Sequence, residues 1–231
     1  MNSWEKSDSA ECRDFHCGEI KCPFDFNGDG NCYDGIKPDD FIIGPNDLNL
    51  LKRLCSAGTD HRKFMRMLPV MVTITAPLYW WKEFSTYKVG TVANSCSTMH
   101  KIADKEFTLE DFSTEHLSKV SLLILEDTIK HLNWCREVYL ENKDKGTWWQ
   151  MIQLLPSSYN QKRTVMMNYE VLSNIYKSRR NHKLDEWSEN YINVDGIDMS
   201  PGEGVSGFCD WIKTLPYSEL ITQEVRENDQ R

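Results

Sequence analysis

The chain reads as an α+β protein in which helix dominates, and three observations carry that reading. Residues 70–75 alternate, with Val70, Val72 and Ile74 on one side and Met71, Thr73 and Thr75 on the other, the period-two pattern of a half-buried strand. Between "STEHLSKV" and "YLENKD" apolar residues recur at helical spacing over a long stretch, and shorter helical patterns follow. No internal repeat is visible, and nothing marks a second domain.

Residues 1–39 are rich in Gly, Asp, Asn and Cys with little periodicity and read as an irregular N-terminal segment; the α+β domain takes up residues 40–231. Within the N-terminal segment Cys12, Cys17, Cys22 and Cys32 surround His16. Zinc sites favour tighter Cys-x2-Cys knuckles, so a surface group of thiols is the better reading and no metal is expected. "DFNGDGNCYDGI" starts like a calcium loop, with Asp25, Asn27, Asp29 and Gly30, but Ile36 stands where the closing carboxylate belongs, which leaves a turn-rich loop.

Order begins at "GPNDLNLLKRLCSAG", where Asn46 or Asp47 can cap a helix with Leu48, Leu51 and Cys55 on its apolar face and Gly58 at its stop. Pro69 opens the strand. "LYWWKEF" is a short helix or tight turn, and residues 85–100, "STYKVGTVANSCSTMH", form a hydroxyl-rich loop with Lys88 as its one strong base. Thr114 is the expected cap of the long helix, with Leu117, Val120, Leu125, Ile129, Leu132, Val138 and Tyr139 in its stripe. "GTWWQMIQLLP" makes another helix, ended by Pro156, and a further one is expected over 164–180. On that last helix Asn168, Leu172, Ile175 and Arg179 share a side. Residues 188–206 read as a loop and "FCDWIKTLP" as a closing helix.

The 231 residues are 40% hydrophobic and 11% aromatic, enough to bury a core. A net charge of −8 argues against a nucleic-acid polymer or an anionic membrane as partner, and leaves a small anionic ligand open wherever bases cluster. No apolar run reaches the roughly 18–20 residues of a membrane helix, and "MNSWEKSDSAE" is no signal peptide, so a cytoplasmic protein is expected. Cys55, Cys96, Cys135 and Cys209 are scattered as free thiols would be.

Walker, dinucleotide-fold, zinc-protease and nucleophile-elbow motifs are missing. Three polar features remain: His61 in "GTDHRKFMR", the 85–100 loop, and the Asn168, Asn174, Arg179 series. Each has an ordinary structural reading, as a solvated histidine, a serine-threonine turn and a solvated helix face. Each also has a ligand-binding one, since hydroxyls and backbone N–H groups cradle phosphate and amides with guanidinium bind a planar ring.

Taken in order, these features resemble the flavin-dependent thymidylate synthase (ThyX) family over about residues 40–187. In that family a histidine precedes a strand and an Ala-Pro, an Arg-His-Arg loop follows, and a Leu-Pro later leads into a helix bearing Asn and Arg. Here His61 precedes Thr75-Ala76-Pro77, and Leu154-Leu155-Pro156 precedes the segment carrying Asn168, Asn174 and Arg179. The signature loop departs from the pattern: its Arg-His-Arg reads Thr86-Tyr87-Lys88, and its later Ser, Asn and Glu positions read Thr91, Ala93 and Asn94. Its second serine falls at Cys96, a preceding glutamine at Glu83, and a later histidine at Lys183 or His182.

The resemblance implies a single domain with a small, mostly antiparallel sheet flanked by long helices. It implies FAD, with NADPH and methylenetetrahydrofolate as co-substrates, in a homotetramer with sites between subunits that methylates dUMP or a related pyrimidine nucleotide. His61, Lys88, Thr91, Asn168 and Asn174 fall at cofactor positions, and Glu83, Cys96 and Arg179 at substrate positions. No catalytic side chain is implied, because in that chemistry the protein mainly orients two rings and excludes water. The lost arginines leave a second reading, a relative that binds flavin or nucleotide without methyl transfer, and the N-terminal cysteines a third, a metal-binding interaction protein.

Overall fold

The computed structural model describes residues 7–11, 41–95, 98–188, 193–194 and 207–223. The segment containing Cys12, His16, Cys17, Cys22, Cys32 and the calcium-like loop lies outside the described residues, as does Cys96. The chain divides into two compact units, Met1–Phe64 with Gln223–Arg231, and Met65–Thr222.

In the first unit β1 (Ala10–Glu11) pairs antiparallel with β2 (Phe41–Ile42), and α1 (Pro45–Ser56) follows. The N-cap of α1 is Gly44, not Asn46 or Asp47. The exposed amides of its first turn are satisfied from β1's approach instead: the Asp8 carboxylate accepts the Asn46 and Asp47 N–H groups at 2.9 and 3.0 Å. Asp47 in turn accepts the Ser7 and Ser9 hydroxyls, which hold its carboxyl below the usual range.

The second unit is α+β and helix-dominated, around a four-stranded antiparallel sheet. Its elements are β3 (Pro69–Pro77), α2 (Leu78–Phe84), β4 (Val92–Ser95), α3 (Thr98–Lys101), α4 (Lys119–Asn142), α5 (Lys145–Leu154), β5 (Asn160–Asn168), α6 (Tyr169–Arg179), α7 (Asp185–Ser188), β6 (Asn193–Val194), α8 (Phe208–Thr214) and α9 (Glu219–Thr222). The strand order is β4-β5-β3-β6. The expected alternation of β3 holds, with Val72 and Ile74 buried and Met71 exposed.

Three expectations give way. The helix expected from residue 164 is a strand as far as Asn168, because "NQKRTVMMN" pairs along the whole of β3 from Pro69↔Asn168 to Pro77↔Asn160. Pairing partners outweigh the helix propensity of two methionines. The 85–100 loop contains β4, registered against β5 as Val92↔Met166 through Ser95↔Arg163. The long helix is capped by Ser118, whose Oγ accepts the Ser121 N–H, rather than by Thr114, so Leu117 lies outside it. α5 ends before Pro156 as expected.

Two apolar clusters hold this unit together. Leu125, Ile129, Leu132 and Cys135 of α4 meet Met151 of α5 with Ile102, Phe107 and Phe112. At the other end Trp80, Trp81 and Phe84 of α2 pack with Trp187 and Phe208; the Trp80 and Trp187 centroids are 4.6 Å apart. Each such ring removes roughly 150–250 Å² from water, worth about 4–6 kcal/mol at 25 cal/mol per Å².

Candidate functional site

The site grows from the join of β5 and α6. At Asn168 the backbone is still extended (φ −132°, ψ 170°), and its side-chain oxygen accepts the Val171 N–H at 3.0 Å. Asparagine suits this place because its short amide replaces the bond that the first helical turn lacks. Leu172, Ile175 and Tyr176 then bury one face of α6, which carries Arg179, one turn beyond Ile175, to the edge of the aromatic cluster.

α2 supplies the opposite wall. Trp80, Trp81 and Phe84 are buried, while Glu83 is left half-buried. The chain tightens after α2: Thr86 N–H donates to Glu83 O at 3.1 Å and Tyr87 N–H to Phe84 O at 3.0 Å. Arg179 reaches both. Its Nη1 donates to Glu83 Oε2 at 2.5 Å and its Nε to Tyr87 Oη at 2.9 Å. Its guanidinium carbon lies 5.1 Å from the Trp187 ring centroid and 5.7 Å from that of Tyr87, within cation–π range.

His182 completes the group. Its Nδ1 accepts the Leu184 N–H at 3.1 Å, which turns Nε2 toward the other two side chains. Nε2 is 3.3 Å from Glu83 Oε2 and 2.7 Å from Arg179 Nη1. Glu83, Arg179 and His182 thus meet in one polar contact at the edge of the aromatic cluster. Beneath them Trp187 is fully buried, its indole N–H without a hydrogen-bond partner.

From Tyr87 the chain runs back along α6 toward its start. Gly90 takes a left-handed φ of +78°, and a Cβ there would lie 3.1 Å from both Asn168 Nδ2 and Val171 Cγ2. Thr91 follows, its buried hydroxyl oxygen unpartnered. The segment from Glu83 to Gly90 thus touches both ends of α6, Glu83 and Tyr87 at Arg179 and Gly90 at Asn168.

Of the residues singled out in sequence, the structure brings Glu83 and Arg179 into contact and sets Thr91 next to the glycine that packs on Asn168. Lys88 is exposed on the same loop, and Asn174 is exposed on α6, away from the buried stripe. Asn168 is a helix cap, not part of a helix face. His61 belongs to the other unit, where it is exposed and its N–H donates to Gly58 O at 3.1 Å. Of the two histidine alternatives, His182 touches Arg179 while Lys183 is exposed. Tyr87 and Trp187 also touch Arg179. The only sequence signal for them is aromatic character beside polar motifs, which an ordinary core residue shares.

Cavities lie elsewhere. One of about 410 Å³ is lined by Thr75, Pro77, Phe112, Ser113, Glu115 and Asn160 among others, and contains none of the sequence-predicted site residues. Cys209 on α8 is buried, and burial pushes its thiol up to about 12, with Asp210 adding to the rise and Lys213 and Arg179 opposing it. It is no thiolate at neutral pH. Among the described residues no group of three or more His, Cys, Asp or Glu side chains is arranged to hold a metal ion, and no helix is long and apolar enough to cross a membrane.

No protein-family profile matches the chain, and no curated protein matches it in sequence. Among solved structures, the flavin-dependent thymidylate synthase ThyX from Helicobacter pylori, complexed with FAD and dUMP, is similar at 16% identity and a TM-score of 0.46, over 61% of this chain and 71% of that one. The UMP/dUMP methylase PolB from Streptomyces cacaoi, bound with 5-Br UMP, is similar at 16% identity and a TM-score of 0.41, over 65% of this chain and 70% of that one.

Proposed function

We propose that this chain is a divergent enzyme of the flavin-dependent thymidylate synthase type, which binds FAD and a uracil nucleotide and methylates the pyrimidine. One observation carries the reading. The 85–100 loop, which stands at the family's signature position although its residues depart from it, lies with the end of α2 against the Asn168–Arg179 segment, with Glu83 bound to Arg179 and Gly90 packed on Asn168.

The donor set fits flavin in part. Lys88 offers a cation, the unpartnered Thr91 hydroxyl a hydrogen bond, and Asn168 Nδ2 and Asn174 amide groups suited to a ring edge. It lacks an arginine fork for phosphate, and Lys88 is a point charge that cannot replace one. Bound flavin would supply the hydride. The chain's own residues orient and shield: Trp187 and Tyr87 fix the Arg179 guanidinium, and Glu83 and His182 set its direction. A homotetramer, also part of this proposal, supplies further walls from a second subunit.

One contact favours the second reading, a relative that binds without catalysing. Glu83 stands where the family has a glutamine, and its carboxylate occupies the guanidinium that an anionic substrate would need. The two readings separate in one assay. With FAD, NADPH and methylenetetrahydrofolate, the catalytic reading expects dTMP from dUMP and tritium release from 5-tritiated dUMP. FAD binding with no tritium release selects the binding protein, and failure to bind either FAD or dUMP refutes both.

A further inference from the structure

The α4–α5 hairpin carries a second ligand-sized feature that shares no residue with the Arg179 cluster. A cavity of about 380 Å³ is lined by His100, Tyr139, Lys143, Lys145 and Trp148. That volume lies within the range of small-molecule sites, roughly 300–1,000 Å³. Three of the five lining side chains are bases or imidazole, two are aromatic and none is acidic, in a chain whose net charge is −8.

The placement follows from local geometry. Tyr139 and Lys143 are four apart at the end of α4, and Lys145 and Trp148 three apart in the first turn of α5, so each pair shares a face. The turn between the helices is made by Lys143 in the left-handed region (φ 53°), its N–H donating to Tyr139 O at 2.8 Å. Glycine or asparagine is usual in such a turn. Lysine there brings its ammonium over the Tyr139 ring, 5.3 Å from the centroid.

Asp144, between the two lysines in sequence, is already committed. Both Asp144 oxygens face the start of α5 and accept Gly146 N–H at 3.2 Å and Thr147 N–H at 2.8 Å, bonds that hold its carboxyl below the usual range. Glu141, two residues before Lys143, is on another side of α4. Tyr139 and Trp148 pack on the Leu132–Cys135–Met151 core, and His100, Lys143 and Lys145 are exposed at the rim.

We propose that this cleft is a mononucleotide-binding site, separate from the Arg179 cluster and independent of its assignment. The base stacks on Trp148 and Tyr139, an interaction every base can make, and the phosphate sits among Lys143, Lys145 and His100. Point-charge lysines rather than arginine forks make the phosphate contact salt-sensitive.

Calorimetric titration of the full chain with AMP at low salt tests this, with adenosine and inorganic phosphate as controls. AMP binds, and adenosine and phosphate each bind at least about tenfold more weakly, because each lacks one half of the recognised chemistry. Lys143→Gln with Lys145→Gln raises the AMP Kd about tenfold or more, while Arg179→Gln leaves it unchanged. Trp148→Leu, checked for folding by circular dichroism, also weakens AMP. Absence of AMP binding, binding indifferent to the two lysine substitutions, or binding lost in Arg179→Gln overturns the proposal. Phosphate binding as tight as AMP overturns the stacking half of it, and with that the nucleotide assignment.

Discussion

Replacing Glu83 by Gln removes one charge and almost no volume, so it isolates the ion pair that joins α2 to α6. Glu83 Oε2 and Arg179 Nη1 are 2.5 Å apart, with 33% and 18% of the respective side chains exposed. Unit charges about 4 Å apart at an effective dielectric of about 20 attract by roughly 4 kcal/mol before desolvation is counted. Exposed pairs retain about 0.2–1 kcal/mol, and breaking fully buried ones costs about 3–5 kcal/mol. A pair between those limits contributes about 1–2 kcal/mol. For a chain of this size the expected fall in Tm is about 2–8 °C. Arg179→Gln and the double substitution complete a cycle, and a coupling of about 1 kcal/mol is expected from chemical denaturation. Added salt weakens the coupling, because both groups are partly solvated. A Glu83→Gln protein with unchanged Tm and a coupling near zero refutes the claim that Glu83 holds Arg179.

Other substitutions test neighbouring parts of the account. Asn168→Ala removes the acceptor of the Val171 N–H and costs about 1 kcal/mol by denaturant titration, whereas Asn168→Ser, which can still cap, recovers most of it. Gly90→Ala forces a side chain into a left-handed φ and to 3.1 Å from Asn168 and Val171; a loss of about 1–2 kcal/mol is expected. Cys209 resists alkylation by iodoacetamide in the folded protein at pH 8 and reacts on denaturation, since burial keeps the thiol protonated well above that pH; mass spectrometry of the native protein showing rapid modification there contradicts it.

The parts of the fold legible in sequence are those whose pattern is complete within one element. The β3 alternation is unbroken, and the α4 stripe carries Leu125, Ile129 and Leu132 into the core. β5 is hidden because its inward positions include Gln161 and Arg163, polar residues that settle against each other and a distant tryptophan. The Arg163 guanidinium lies 4.4 Å from the Trp81 ring centroid, and its Nε donates to Gln161 Oε1 at 2.9 Å. β4 is four exposed residues, and only pairing with β5 identifies it. Val120, read into the α4 stripe, is 67% exposed, because the first turns of that helix extend past the core.

The candidate site is legible to the same degree. Glu83 and Arg179 follow from the order of motifs, and they meet. Asn168 sits at the N-cap of α6 and not on its face, because the strand before it reads as helical in sequence. Tyr87 and Trp187 enter only through packing between segments nearly a hundred residues apart, which no local pattern records. The −8 charge hides the local clusters of bases in the same way, since a net value averages over the surface.

The central claim, that the chain holds a flavin and a uracil nucleotide, is tested most directly by absorption spectroscopy of the protein purified without added ligand and then titrated with FAD and dUMP. The account predicts oxidised-flavin bands near about 450 nm, either as purified or after FAD addition and gel filtration. It further predicts a Tm raised by about 5–10 °C at a hundredfold excess of FAD over Kd, and a further rise with dUMP. A colourless protein that retains no FAD on gel filtration and gains no thermal stability from FAD or dUMP contradicts it.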